Sequence, residues 1–147
     1  MNFEAINPAT GDLISTHEPH TAAHAMDAVG RAHAVHTEWR SKSVQDRTAP
    51  LLVLARMLRA RAAEFGRLMT LEMGKPLSQG IAEANKCASV CEYYAEYGPA
   101  ALSPVTAHTD ASKSYWTHQP LGVVLGIMPW NFPFWQVVRF AAPTLTA

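Results

Sequence analysis

The sequence predicts an α/β fold in which a helical amino-terminal part leads into the first strand–turn–helix of a parallel sheet. Three observations predict it. From Ala22 to Ala95 apolar residues recur at threes and fours, the spacing of amphipathic helices. Gly122-Val123-Val124-Leu125-Gly126-Ile127-Met128 is instead a nearly unbroken apolar run, the pattern of a strand covered on both faces. A turn, Pro129-Trp130-Asn131-Phe132-Pro133, follows it, and Phe134 to Thr146 then suits a helix.

The elements follow in order. Asn7-Pro8 and Gly11-Asp12 are turn signals, with Leu13-Ile14 a short extended segment after them. Thr21 suits a helix N-cap, and Ala22, Ala25, Val29, Ala32 and Val35 fall on one stripe leading to Trp39. Ser43 and Asp46 resemble a capping box, and Leu51, Leu54, Leu58, Ala62, Phe65 and Leu68 form a second stripe. Pro50 removes a backbone donor and should kink or divide that helix near Ala49. Gly74 suits its C-cap, with Pro76 beyond. A third helix is expected from Ser78 to Tyr97, with Ile81, Ala84, Ala88, Cys91 and Ala95 on its apolar face and Gly98-Pro99 stopping it. Ser103 to Asp110 reads as a loop, and Ser114 to His118 is rich in strand formers.

Composition narrows the function classes. The chain has 147 residues, 48% hydrophobic and 16% charged, a globular balance. Its 12 basic and 12 acidic side chains cancel, which leaves no electrostatic footprint for nucleic acid or an anionic membrane. No apolar run has the length of a membrane span, and the start lacks the pattern of a signal peptide. Cys87 and Cys91, four apart on the inner-looking face of a helical stretch, are expected to be buried structural cysteines. They make neither a disulfide framework nor a zinc site, so a cytoplasmic setting is expected. His33 and His36, or His17 and His20, have a spacing that suits a metal, but no acidic or cysteine partner completes a site, and no metal is assigned.

One feature of the order is physically awkward. A parallel sheet needs partner strands reached by crossovers, and none remain after Thr146. The apolar run would be left with open edges and faces, an aggregation hazard, so the expectation is a truncated chain.

The stretch from Pro120 to Pro133, with its Pro-Trp-Asn-Phe-Pro turn, resembles the aldehyde dehydrogenase superfamily. Asn7-Pro8-Ala9-Thr10-Gly11, Glu72-Met73-Gly74-Lys75-Pro76-Leu77 and Tyr93-Tyr94-Ala95 agree with it in order and spacing. The resemblance covers essentially the whole chain and is most like succinate-semialdehyde dehydrogenases. It implies that residues 1–111 are the helical part of a Rossmann-like cofactor domain and 112–119 a bridging strand used in oligomers. Residues 120–147 would open the nucleotide-binding sheet. It also implies NAD or NADP as cofactor, a small aldehyde as substrate and a homo-oligomer when full length. The usual Gly-x-Gly-x-x-Gly fingerprint is missing, as it is in that family.

Family chemistry runs through a cysteine thiolate, a thiohemiacetal, hydride transfer to the nicotinamide, and release of the acid by a glutamate-activated water. By resemblance Asn131 donates its side-chain amide to the oxyanion, a role that suits a group which does not titrate. The other reading is a turn asparagine bonded to its own backbone. Ile127, Met128, Pro129, Trp130 and Asn131 match the cofactor cleft; simple core packing is the competing reading for Ile127 and Met128. Phe132, Trp135, Gln136 and Arg139 match the substrate tunnel. Arg139, eight residues after Asn131, matches an arginine that receives the substrate carboxylate of succinate semialdehyde. A guanidinium grips a carboxylate through two parallel hydrogen bonds. The alternative is an exposed arginine paired on its own helix. The nucleophile and the general-base glutamate are expected beyond Ala147, so the chain alone should be inactive. The second functional reading is a non-catalytic product that docks on intact subunits.

Overall fold

The computed structural model describes residues 2–147. Strands β1 (Phe3–Ile6) and β2 (Leu13–His17) pair antiparallel, with Phe3 opposite His17 and Ile6 opposite Leu13. The expected turn closes this hairpin. Asn7 N–H donates to the Asp12 carbonyl at 2.9 Å, and Gly11 takes a φ of 80°, which glycine adopts without steric cost.

Helix α1 (Ala22–Trp39) starts where expected, the Thr21 hydroxyl accepting from His24 N–H at 3.1 Å. Its stripe meets no core: none of its residues is buried, and Val29 and Val35 stay 50% and 60% exposed. The helix is tied at its C-terminal end, where Trp39 Nε1 donates to the Leu145 carbonyl at 2.9 Å.

Helix α2 (Val44–Ala60) opens on Ser43 as expected, Oγ accepting from Asp46 N–H at 3.1 Å. The Asp46 carboxylate, however, accepts from that hydroxyl at 2.6 Å rather than from the Ser43 N–H that a capping box uses. Pro50 does not divide it. Asp46, whose carbonyl the proline leaves without its usual helical donor, is exposed to water, so the loss is tolerated. The break falls instead at Arg61 (φ −109°, ψ 15°), where helix α3 (Ala62–Met73) begins. The buried stripe continues through that break at threes and fours, on positions other than those expected. Leu51, Ala55, Leu58, Ala62, Gly66 and Met69 are buried, whereas Leu54 and Leu68, expected inside, are 38% and 43% exposed.

Gly74 ends α3 in the left-handed region at φ 72°, its N–H bonding the Thr70 carbonyl at 3.0 Å. Helix α4 (Leu77–Ala101) then folds back across α3 at a glycine pair. A Cβ on Gly80 would stand 2.8 Å from Gly66 Cα, so the backbones touch. Contrary to expectation, α4 runs on through Gly98 and Pro99. Gly98 is buried against Thr146, and this contact with the next helix holds the final turn that the proline weakens. Helix α5 (Pro133–Thr146) matches the expected span and lies against α4. Leu51, Ala55 and Leu58 of α2, Cys87, Ala88 and Cys91 of α4, and Val138 and Ala142 of α5 form the core.

The largest departure is the apolar run. Gly122 to Met128 enters no strand ladder among the described residues, and Leu121, Leu125 and Ile127 are 94%, 82% and 86% exposed. A strand exists only against a hydrogen-bonded neighbour, and these residues provide none. Of the bridging strand expected over 112–119, Tyr115–Trp116 (β4) pairs antiparallel with Val105–Thr106 (β3), a stretch expected to be loop. Among the described residues no helix is long and apolar enough to cross a membrane.

Candidate functional site

The site is built at the start of α5. A helix leaves its first amides without intrahelical partners, and the residue before it normally caps them with an oxygen. Here that residue is Phe132, which has none, and Pro133 opens the helix with no N–H to satisfy. The cap comes from another helix. Glu83 of α4 accepts from the backbone N–H groups of Phe134 and Trp135, both at 3.0 Å through Oε1. Gln136 N–H then makes the first helical bond, to the Phe132 carbonyl at 2.9 Å.

Glu83 does not stand alone. Its other carboxylate oxygen pairs with the Lys75 ammonium, and the two side chains are only 3% and 6% exposed. Lys75 follows the left-handed Gly74, which turns the chain inward at that point. The ammonium also donates to the Asn131 backbone carbonyl at 3.2 Å and lies 3.8 Å from the centre of the Phe132 ring. The turn between the apolar run and α5 is therefore held, from Asn131 onward, by one buried ion pair.

Asn131 is exposed, and its side-chain amide makes no hydrogen bond among the described residues. The backbone-bonded turn asparagine is thus not what forms. Leading into it, Ile127 and Trp130 are 86% and 76% exposed; Met128 and Pro129 are exposed too. Core packing, the competing reading for Ile127 and Met128, does not occur in this chain. Past the turn, Phe132 is exposed, while Trp135 and Gln136 are half-buried. Lys86 Nζ sits 3.9 Å from the centre of the Trp135 ring, and the exposed Arg139 guanidinium 6.0 Å from it. Arg139 pairs with no carboxylate among the described residues. The expected site residues fall on one continuous stretch from 127 to 139, its cofactor-side and substrate-side parts meeting at Asn131.

Cys87 and Cys91 lie on the inner face of α4, free and fully buried, as expected. Burial, with the Glu83 charge second, pushes the Cys87 thiol up to about 12; burial likewise raises Cys91. Neither is a ready nucleophile.

Lys75 and Glu83 are what sequence reasoning missed. Lys75 stood inside a recognised motif without a role, and Glu83 drew no notice. One signal was available: Gly80, Glu83, Ala84 and Cys87 share the buried face of α4, so Glu83 is a charge set in an apolar stripe.

The turn thus presents an amide free of hydrogen bonds at a helix start, between an open apolar approach and an arginine with no carboxylate partner among the described residues. The chain matches the aldehyde dehydrogenase family over residues 1–147 and belongs to it. It is 45% identical over 147 residues to a probable NADP(+) succinate-semialdehyde dehydrogenase of Synechocystis, covering 100% of this chain and 32% of that protein. The NADP(+) succinate-semialdehyde dehydrogenase of Mycobacterium leprae is 45% identical over 150 residues, covering 100% of this chain and 33% of that protein. Among solved structures, the succinic semialdehyde dehydrogenase of Streptococcus pyogenes in complex with NADP+ superposes with a TM-score of 0.92 at 31% identity. The match covers 98% of this chain and 32% of that one. The chain thus spans about a third of the length of the relatives it matches.

Proposed function

We propose that this chain is the amino-terminal third of an NAD(P)-dependent dehydrogenase that oxidises a carboxylate-bearing aldehyde, succinate semialdehyde first among candidates, to the acid. Residues 1–111 are its helical part, 112–119 its bridging strand and 120–147 the opening of its nucleotide-binding sheet. The observation that carries the reading is the free Asn131 amide on a backbone clamped by Lys75 and Glu83.

Ile127 and Trp130 are apolar and open in this chain, and Ile127 to Asn131 would line the dinucleotide cleft. When bound, the dinucleotide supplies the hydride acceptor. Asn131 donates its amide N–H to the oxyanion that forms when the aldehyde carbon becomes tetrahedral. Arg139, with Lys86 also beside Trp135, draws the distal carboxylate toward the substrate side. Phe132, Trp135 and Gln136 line the approach and orient the aldehyde. The attacking thiolate comes from a cysteine other than Cys87 and Cys91, which the core holds protonated.

Steady-state kinetics of the full-length polypeptide carrying this segment test the reading. Arg139→Ala should raise KM for succinate semialdehyde by at least about tenfold, the loss of one charge-assisted carboxylate contact, and leave KM for butanal nearly unchanged. Equal effects on the two substrates would remove the carboxylate assignment. The 147-residue chain by itself should form no NADH or NADPH with either aldehyde, and sustained turnover would refute the missing nucleophile.

A further inference from the structure

The turn that carries Asn131 has no local reason to hold one shape. It follows an apolar segment without ladder partners and precedes a helix whose N-cap residue, Phe132, offers no side-chain bond. What holds it comes from α4 and from Lys75, in the link between α3 and α4. Lys75 takes the Asn131 carbonyl, Glu83 takes the next two free amides, and the two charges neutralise each other inside the fold.

Burying two opposite charges is a poor way to gain stability, because desolvation offsets most of their attraction. An apolar pair of similar volume would pack there, but it would leave the Phe134 and Trp135 amides and the Asn131 carbonyl without partners. A fixed, fully bonded pair sets the position of one backbone segment instead. We infer that Lys75 and Glu83 are positioning residues: the ion pair clamps the Asn131 turn to α4 and thereby aims the Asn131 amide at the reacting carbonyl oxygen. This rests on the oxyanion role proposed above for Asn131. Neither residue touches substrate; both act through the backbone that runs from the asparagine's own carbonyl into α5.

A donor that stabilises an oxyanion works by being held in place before charge develops, so a loosened turn should lower kcat while sparing KM. The test is a double-mutant cycle in the full-length polypeptide, with amide hydrogen exchange read alongside. Asn131→Ala should reduce kcat by about a hundredfold or more. Glu83→Gln should reduce kcat by at least about tenfold with KM changed less than about threefold, and speed exchange at the Phe134 and Trp135 amides. Added to Asn131→Ala, Glu83→Gln should cost no more than about twofold further, since the donor it aims is already gone. Lys75→Arg, which keeps the cation and its donors, should restore most of the kcat that Lys75→Met loses.

Unchanged kcat in Asn131→Ala would overturn the oxyanion reading itself. A normal Asn131→Ala loss with an unchanged Glu83→Gln, or with fully additive losses, would overturn the clamp alone. If Glu83→Gln does not fold, Glu83→Asp takes its place, and the same non-additive kcat loss is expected. A Glu83→Asp enzyme that loses thermal stability but keeps kcat and slow amide exchange would reduce the pair to scaffolding.

Discussion

Cys87 and Cys91 illustrate how the same residue type serves chemistry in one setting and packing in another. Both face the core of α4, and burial raises both thiols, Cys87 to about 12 with Glu83 and Cys91 adding to the effect. At pH 8.5 an ordinary thiol is about half ionised, whereas one near 12 is ionised in roughly one molecule in three thousand. Alkylation of Cys87 in the folded chain should therefore lag a free thiol by about a thousandfold at that pH. Peptide mass spectrometry after timed iodoacetamide exposure measures it, and labelling at the free-thiol rate would remove the buried-thiol assignment. The sign of the linkage follows from the raised folded value. Protonated Cys87 stabilises the fold fully below the ordinary thiol range, and that contribution is lost as pH climbs toward about 12. At this scale much was legible in the sequence, because the helical spacing of Cys87 and Cys91 already placed both on an inner face. Glu83 was not, because a lone acid in an apolar stripe carries no sign of which distant amides it will cap.

The helices joined where small residues permitted, and the sequence showed this unevenly. Thr21, Ser43 and Gly74 were readable as caps because each satisfies a specific orphan backbone group. The break between α2 and α3 was not, because Pro50 marks an obvious candidate while Arg61 marks none. The crossing of α3 and α4 depends on Gly66 and Gly80, whose missing side chains let the backbones meet. A Cβ on Gly66 would lie 2.7 Å from Ile81 Cγ1 and 2.9 Å from its backbone nitrogen. Gly80→Ala should thus destabilise the chain by about 1–3 kcal/mol, the range for overpacking, and lower Tm by several degrees. Gly30 in α1 makes the control, since a Cβ there meets nothing. Gly30→Ala should leave Tm unchanged or raise it, because a mid-helix glycine costs roughly 0.5–1 kcal/mol relative to alanine. A Gly80→Ala melting curve that tracks the Gly30→Ala one would show that the crossing of α3 and α4 has room for a methyl group.

At the scale of the whole molecule the chain divides into a packed part and a part waiting for neighbours. Helices α2, α3, α4 and α5 share a core, while the face of α1 and the segment from Leu121 to Trp130 remain open. The sequence pattern of that segment reads as a strand to be covered on both faces, yet no ladder forms among the described residues, because pattern states what a strand needs and cannot supply it. The chain spans about a third of each relative's length, and the reading proposed above places the missing cover in the remainder. Leu125 and Ile127, at 82% and 86% exposed, are the sharpest probes of it. In the 147-residue chain, Leu125→Lys with Ile127→Lys removes two exposed apolar groups from an unpaired segment. Association seen by sedimentation should fall, and Tm should stay within about a degree, since groups this exposed contribute little to the fold. In the full-length polypeptide the same pair should have the opposite effect. If the segment is a central strand there, as proposed above, two ammonium groups enter an apolar layer unpaired, and the protein should fail to fold or melt far earlier. If both lengths tolerate the substitutions, Leu121 to Met128 is a surface loop in the complete protein as well, and Ile127 to Trp130 cannot wall a nucleotide cleft. If only the short chain tolerates them, the segment is the first strand of the sheet, and Asn131 stands at its C-terminal end, where α/β folds bind their ligands.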